Sequence, residues 1–243
     1  MGDFGMARQE AGRAYQTVID LIKRKIIRNE VQLGDNLPPE RELAETLGVS
    51  RTSVREALRT LEVMGIITST QGAGNVISGN FEKSLGESLA MMFLVQKIDY
   101  KQISELRCGL EKTMIVLAVD KISKEQIDLL ETLIEAMEHT TDEIDNVDLD
   151  EKLHYTIAKA ASNPLIVTIL QALADVMHLF IKDLRKKIIA VDKGKNRLQL
   201  AHKHMVMCLK AGDKAGAQAA IEEHFQLVDE NLRLDYVVKN TTF

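Results

Sequence analysis

The sequence predicts a mainly α-helical protein with an N-terminal winged helix-turn-helix and a C-terminal antiparallel all-helical bundle. Two short helical patterns separated by a glycine lie in residues 37–58, and two β-branched segments follow them. Beyond residue 84, apolar residues recur at helical spacing, and no run is typical of a strand. We therefore expect a loose tail at 1–12, a winged helix at 13–78, a linker at 79–83 and a bundle at 84–238.

The helix-turn-helix prediction depends on how the two short helices begin and end. Pro38 and Pro39 suit the first turn of the first helix, because that turn has backbone N–H groups without partners. Gly48 is a typical helix end, and Ser50 is a good N-cap for the next helix. The inward face of the second helix is apolar: Val54, Ala57, Leu58 and Leu61.

The outer face of the second helix is basic, with Arg51, Arg55 and Arg59 four residues apart and Thr52 and Ser53 in the first turn. Arginine and hydroxyl groups at the start of a braced helix suit insertion into the major groove of DNA. A surface helix hairpin with solvated arginines would show the same spacing.

A small β-hairpin is predicted directly after these helices. Residues 66–70 have β-branched composition, 71–75 are rich in glycine, and Val76-Ile77 can return as a second strand. An earlier helix with an apolar face, formed by Tyr15, Val18, Ile19, Ile22, Ile26 and Ile27, precedes the pair. The order helix, helix, helix, hairpin is that of a winged helix.

Residues 13–78 resemble the winged-helix domain of the GntR transcription regulators. The matching segments are GDNLPPERELA at 34–44, VSRTSVREAL at 49–58 and QGAG at 71–74. The resemblance implies that this domain binds double-stranded operator DNA. It assigns the DNA contacts to three arginines, two small polar residues and the tip of the wing: Arg41, Arg51, Arg55, Thr52, Ser53, Gln71 and Gly72.

Composition and charge limit the other classes of protein. The chain has 243 residues, of which 45% are hydrophobic, enough for two domains with buried cores. It contains no apolar run near the ~18 residues needed to span a bilayer, and its N-terminus lacks the apolar core of a signal peptide. We expect a cytoplasmic protein that contacts no membrane, with Cys108 and Cys208 as free thiols.

The net charge of −5 lies mainly outside the predicted DNA-binding domain. Residues 13–78 contain 9 Lys and Arg against 8 Asp and Glu, which leaves −6 for the rest of the chain. A domain with a net charge of +1 binds DNA only modestly by itself. We therefore expect a homodimer that doubles the contact with DNA.

Seven helices are predicted in the C-terminal part. Asn163-Pro164 suits a helix start, and Gly212-Asp213 provides a stop followed by a cap. The predicted helices are residues 84–95, 100–121, 123–139, 148–161, 164–189, 197–211 and 213–238.

Histidines provide the chemically distinctive feature of the predicted bundle. Asp150 and His154 are four residues apart and so share a helix face. His202 and His224 lie on two helices that the short Gly212-Asp213 link should make neighbours. One carboxylate and three imidazoles suit a divalent ion such as zinc, nickel or manganese. The alternative is a set of core histidines that only form hydrogen bonds.

Residues 84–238 resemble the helical effector domain of the FadR subfamily of GntR regulators, the FCD domain. The matching residues are ELR at 105–107 with Glu111, DEKLH at 150–154, ASNP at 161–164, His202 with Gly212-Asp213, and AQAAIEEH at 217–224. The resemblance implies that Asp150, His154, His202 and His224 hold a divalent cation. Leu153 and Ala201 depart from the residues common in the family, and neither position is a ligand.

Arg107 has two possible roles. It can form a surface ion pair with Glu111, four residues later, which would contribute little. The resemblance instead implies that Arg107 lines an effector pocket, where its guanidinium suits a carboxylate. His178 is a further candidate for the pocket. His204 lies two residues from His202 and so should point away from the same face.

We therefore expect a bacterial transcriptional regulator, most simply a repressor, whose operator affinity responds to a small carboxylate bound near the metal. Two alternatives remain open, namely a regulator that responds to acyl-CoA and a metal-dependent enzyme fused to a DNA-binding domain. We favour a regulator over an enzyme, because no recognisable general-base motif adjoins the histidines.

Overall fold

The computed structural model describes residues 3–70, 74–140, 143–174 and 196–241 of the chain. Its side chains are described within 14–70, 74–99, 101–140, 146–174 and 197–230. The chain divides into two compact units, and the division falls between Leu85 and Gly86. Each unit has its own hydrophobic core.

The first unit contains three helices and a two-stranded sheet in the predicted order. They are α1 (Asp3–Ile27), α2 (Glu40–Leu47), α3 (Arg51–Val63), β1 (Ile67–Thr70) and β2 (Gly74–Ile77). The expectation of a loose tail at 1–12 was wrong for residues 3–12, which belong to α1. Ala7, Arg8, Gln9, Glu10 and Ala11 have good helix propensity, which explains why the helix extends through this segment.

The turn between α2 and α3 forms as the residue types predict. Gly48 adopts a left-handed conformation with φ of 63° and ends α2. Ser50 caps α3, because its Oγ accepts a hydrogen bond of 3.1 Å from the backbone N–H of Ser53. Gly65, with φ of 76°, follows α3, and a Cβ there would lie 2.3 Å from the carbonyl oxygen of Asn80. A glycine is therefore required between the second helix of the motif and the wing.

The wing is an antiparallel pair in which Ile67 lies opposite Ile77 and Thr70 opposite Gly74. The chain before α2 joins its edge, a feature that the sequence analysis missed. The N–H of Leu37 donates to the carbonyl of Asn75 at 2.7 Å, and the N–H of Ile77 donates to that of Asp35 at 2.9 Å. The predicted wing tip at 71–73 lies outside the described residues.

Apolar side chains from all three helices and both strands form the core of the first unit. Its fully buried members include Val18, Ile22, Val54, Ala57, Leu61 and Ile67. This packing leaves the opposite face of α3 free to carry polar and basic groups.

The second unit is helical throughout its described residues. Helix α4 (Phe81–Gln96) crosses the division, and α5 (Tyr100–Val119), α6 (Lys124–His139) and α7 (Glu143–Ala160) follow it. Next come α8, described at residues 164–174, then α9 (Asn196–Ala211) and α10 (Lys214–Thr241). The expected linker at 79–83 was too long, because α4 begins at Phe81. The predicted helix at 164–189 lies outside the described residues beyond 174.

Side-chain caps set the starts of several helices. Asp99 with Gln102 and Ser123 with Gln126 form capping boxes at α5 and α6. At α10, Asp213 Oδ1 accepts from the N–H of Gly216 at 2.9 Å. Helix α5 packs against α7 and α10, and α9 packs against α6 and α10, so one interior receives side chains from α5, α7, α9 and α10. None of the described helices combines the length and apolarity needed to cross a membrane.

Candidate metal centre and nucleic-acid interface

The exposed face of α3 carries three of the predicted DNA contacts. Arg51, Thr52 and Arg55 are all exposed at its N-terminal end. Arg55 Nη2 lies 3.2 Å from Glu40 Oε2, an ion pair that joins α3 to α2. This pair leaves more than half of the Arg55 side chain exposed, at 55%. Arg55 is therefore held near the helix surface and remains accessible to phosphate or base edges.

The other predicted DNA contacts fall into three groups. Arg41 is exposed on α2 and pairs with Glu45 through a contact of 2.8 Å. Ser53 is buried, and its hydroxyl lies 2.9 Å from that of Ser50 at the N-cap of α3. Its assignment as a DNA contact stays a prediction. Gln71 and Gly72 lie outside the described residues.

Three histidines from three helices meet in the interior of the second unit. His154 on α7, His202 on α9 and His224 on α10 each offer a ring nitrogen, and these atoms all lie within 4.8 Å of one another. The ring centroids are 4.8 to 5.4 Å apart. All three residues are buried. The grouping expected from the spacing of the histidines is present in the fold.

Asp150 lies beside this cluster, one helical turn before His154. Its Oδ1 is 3.3 Å from His202 Nε2, and the residue is buried. The carboxylate therefore adjoins the histidines through His202. All four residues named in the sequence analysis come together at one place.

Glu111 is a further member of the site, although the sequence marked it only as a match to the FCD domain and as the ion-pair partner of Arg107. Its side chain is 1% exposed. Oε1 accepts from Arg107 at 2.9 Å (Nε) and 2.7 Å (Nη2), while Oε2 lies 2.5 Å from His154 Nδ1. Burial by itself raises the pKa of Glu111, but the charges of Arg107 and His154 lower that pKa to about 2. Glu111 is therefore an anion.

The charge of Glu111 in turn stabilises the charged forms of its two partners, His154 and Arg107. Burial opposes the protonated form of His154, but the charge of Glu111 outweighs it and raises the His154 pKa. Burial also opposes the charge of Arg107, and Glu111 with Asp150 raises the pKa of that guanidinium. Arg107 lies 5.6 Å from the ring centroid of Phe225. The ion pair is thus buried rather than solvated on the surface.

A cavity opens beside the cluster. Its volume is about 40 Å³, and Arg107, Glu111, Asp150 and His154 line it. Further described lining residues come from α7 and α8: Glu151, Tyr155, Leu170, Gln171 and Ala174. Arg107 therefore borders both the cavity and the buried carboxylate.

The donor set fits a divalent ion. Within the described part of the chain, His154 Nε2 and His224 Nδ1 are buried and have no hydrogen-bond partner. A buried polar atom without a partner is costly unless something binds it. Burial together with His202 and His154 lowers the His224 pKa well below its ordinary value, so its imidazole is neutral, the form that binds metals.

The remaining histidines and cysteines are not members of the histidine cluster or lie outside the described residues. His204 is half-exposed on α9, in accord with its expected orientation away from His202. His178 lies outside the described residues. Cys108 and Cys208 are free thiols.

Comparisons with known proteins agree with the winged helix of the first unit and with the helical fold of the second. The family model described as "Bacterial regulatory proteins, gntR family" matches residues 14–77, and the FCD domain model matches residues 102–227. The chain belongs to the GntR family and carries an FCD domain. The resemblance inferred from the sequence, and the mainly helical fold, are confirmed.

Curated relatives match nearly the whole chain. The HTH-type transcriptional regulator LutR of Bacillus subtilis is 29% identical over 84% of this chain and 94% of its own length. The putative L-lactate dehydrogenase operon regulatory protein of Escherichia coli is 26% identical over 91% and 87%. A solved structure of a Streptococcus agalactiae GntR protein has a TM-score of 0.63 and 27% identity, covering 88% of this chain and 98% of that one.

These relatives are named as regulators, and the model that matches residues 14–77 describes bacterial regulatory proteins. The chain is therefore a bacterial transcriptional regulator with an FCD domain. The prediction of a regulator rather than an enzyme is confirmed.

We expect protein purified without chelators and dialysed against Zn²⁺ or Ni²⁺ to retain one ion per chain. His154→Ala and His202→Ala should lose that ion, because each removes a nitrogen from the cluster. A ligand that binds only the native state at 100 times its Kd stabilises that state by about 2.7 kcal/mol, so added metal should raise the Tm of the wild type more than that of the variants. Elemental analysis and thermal unfolding measure the two effects.

His204→Ala is the matched control, since it removes an exposed histidine from the same helix and should keep the ion. Wild-type protein that retains no metal, or His202→Ala protein that retains as much as the wild type, would contradict the assignment.

Proposed function

We propose that this regulator is a homodimeric repressor that senses a small carboxylic acid at a divalent metal held by Asp150, His154, His202 and His224. One observation carries the proposal. The three-histidine cluster lies beside a cavity lined by Arg107, in a chain that also carries a DNA-binding winged helix. A metal and a guanidinium at one cavity form a receptor for a carboxylate.

The charges of the cavity explain why a metal would be needed. Arg107 is already paired with Glu111, and two more carboxylates, Asp150 and Glu151, line the same space. An anionic acid would meet a lining with excess negative charge. A divalent cation at the histidines supplies two positive charges and can accept carboxylate and hydroxyl oxygens as ligands. We therefore infer that the acid binds only to the metal-loaded protein.

Arg107 would supply the second contact with the acid. Its Nε and Nη2 atoms point to Glu111, and a guanidinium has five N–H donors in all. Donors remain for a second carboxylate on the cavity side. Hydroxy, keto and dicarboxylic acids fit this arrangement best, because they offer one group for the metal and another for Arg107. The name of the L-lactate dehydrogenase operon relative supports a 2-hydroxy acid.

DNA binding would be regulated through the dimer. Two winged helices contact two half-sites, whose separation depends on the arrangement of the subunits. An acid that binds one arrangement more tightly shifts the population toward it and changes operator affinity. Release of the operator on acid binding is the direction that the family resemblance favours. A reporter gene under the operator, with and without acid, measures that direction.

An acyl-CoA effector remains the second candidate. The small volume of the cavity, about 40 Å³, opposes it, since a long acyl chain needs an extended apolar channel.

We expect Arg51→Ala and Arg55→Ala to weaken operator binding by about 1–3 kcal/mol each, because both residues lie exposed at the start of α3. Titration of the labelled operator at fixed salt measures the loss, and circular dichroism checks the fold. Arg28→Ala is the control, as it removes an exposed arginine that pairs with Glu30 beyond the end of α1. Unchanged affinity in both α3 variants would contradict the assignment of this surface.

Arg107→Ala should reduce acid binding by about 10- to 150-fold, the equivalent of the 1.5–3 kcal/mol typical of a hydrogen bond to a charged group. Metal and operator binding should persist, because they use other residues. Calorimetry of zinc-loaded protein with lactate, pyruvate, malate and succinate measures the change. Lys112→Ala removes a cation from the same helix that pairs with Glu222, and it should bind acid normally.

Equal acid affinity in wild-type and Arg107→Ala protein would show that Arg107 only forms an ion pair. Binding of a long-chain acyl-CoA in place of these acids would favour the second candidate.

A further inference from the structure

Glu111 contacts both of the groups to which we assign ligand binding. Its two oxygens have different partners, since Oε1 accepts from Arg107 on the same helix and Oε2 lies 2.5 Å from His154 Nδ1 on α7. Arg107 and His154 both line the cavity. One buried carboxylate therefore joins the arginine of the acid site to a histidine of the metal cluster.

The contact with Glu111 determines which nitrogen of His154 can bind a metal. A nitrogen and a carboxylate oxygen 2.5 Å apart need a proton between them, because two lone pairs at this distance repel. Arg107 donates to the other oxygen of Glu111 and so favours the charged carboxylate, which leaves the shared proton on His154 Nδ1. Both ring nitrogens of His154 are buried, and only Nδ1 has a carboxylate beside it, so Nε2 is the nitrogen left for a ligand bond.

We propose that Glu111 is the positioning residue of the metal centre, which fixes the His154 ring with Nδ1 protonated and Nε2 free for the ion. Histidine ligands commonly donate their other N–H to a carboxylate, which fixes the ring and makes the ligating nitrogen more basic. This inference rests on the proposed function, because it assumes that the histidine cluster holds a metal.

A purely structural role makes a different prediction. If the Arg107–Glu111 pair only stabilised the core, removal of either partner would lower protein stability and zinc affinity to the same extent. If Glu111 positions His154, loss of Glu111 affects the metal, whereas loss of Arg107 leaves the Glu111–His154 contact in place. The two ends of one ion pair therefore provide matched variants.

Glu111→Gln tests this difference. A glutamine has an acceptor oxygen at only one of the two carboxylate positions, so it cannot keep both contacts in place, and an amide NH₂ toward Nδ1 favours the wrong tautomer. We expect Zn²⁺ affinity, measured by competition with a chromophoric chelator, to fall about 10- to 100-fold in Glu111→Gln. Arg107→Ala should keep the affinity of the wild type. Circular dichroism and thermal unfolding of both variants measure how much helix content and stability each one loses, so that a change in zinc affinity can be separated from unfolding.

A measurement on the wild type keeps the inference testable if Glu111→Gln does not fold. Zinc-loaded protein labelled with ¹⁵N-histidine should show His154 with a proton on Nδ1 and the metal on Nε2, with the resonance assigned by its loss in His154→Ala. Ligation through Nδ1 would overturn the inference.

The outcomes separate this inference from the proposed function. Wild-type protein that binds no zinc overturns both. Wild-type protein that binds zinc, together with folded Glu111→Gln protein of equal affinity, overturns the positioning role alone. Equal losses of zinc affinity in Glu111→Gln and Arg107→Ala would show that the pair acts only through the core.

Discussion

The buried carboxylate of Glu111 is the interaction on which the ligand site depends. A charge this deep in the protein is unfavourable unless other charges and hydrogen bonds offset its lost hydration. Arg107 and His154 do so from two helices, one at each oxygen. Removing any one of the three would leave the others as buried charges with fewer partners. This network joins an arginine at the cavity to one residue of the three-histidine cluster.

The distribution of charge also differs between the DNA-binding unit and the helical unit. The winged helix is almost neutral in sum, and the exposed face of α3 carries three of its nine Lys and Arg residues. The acidic excess belongs largely to the helical unit, where part of it lines the cavity. A cavity with excess negative charge attracts a metal cation, and the bound cation would then attract the acid. A DNA-binding domain with a net charge near zero binds only modestly by itself, so we expect operator affinity to depend on how two copies are arranged.

Much of the fold and part of the site follow from local rules. Gly48, Ser50 and the apolar stripe of α3 predict the helix-turn-helix, and the four-residue spacing of Asp150 and His154 predicts their shared face. The role of Glu111 did not follow, because its spacing from Arg107 is that of an ordinary surface pair. Glu111 is buried because α7 and α10 pack against α5, and this tertiary packing cannot be read from the local spacing of residues. The pairing of residues 35–37 with the edge of the wing likewise depends on tertiary packing and could not be predicted from local sequence.

The most direct test of the account is operator affinity measured in four states, with and without metal and with and without an acid that binds. The account predicts that acid changes operator affinity by about 5- to 150-fold in zinc-loaded protein, which corresponds to a coupling energy of about 1–3 kcal/mol. In protein stripped of metal, the same acid should leave operator affinity unchanged. An equal effect of acid in both forms would contradict the metal-dependent sensing that we propose.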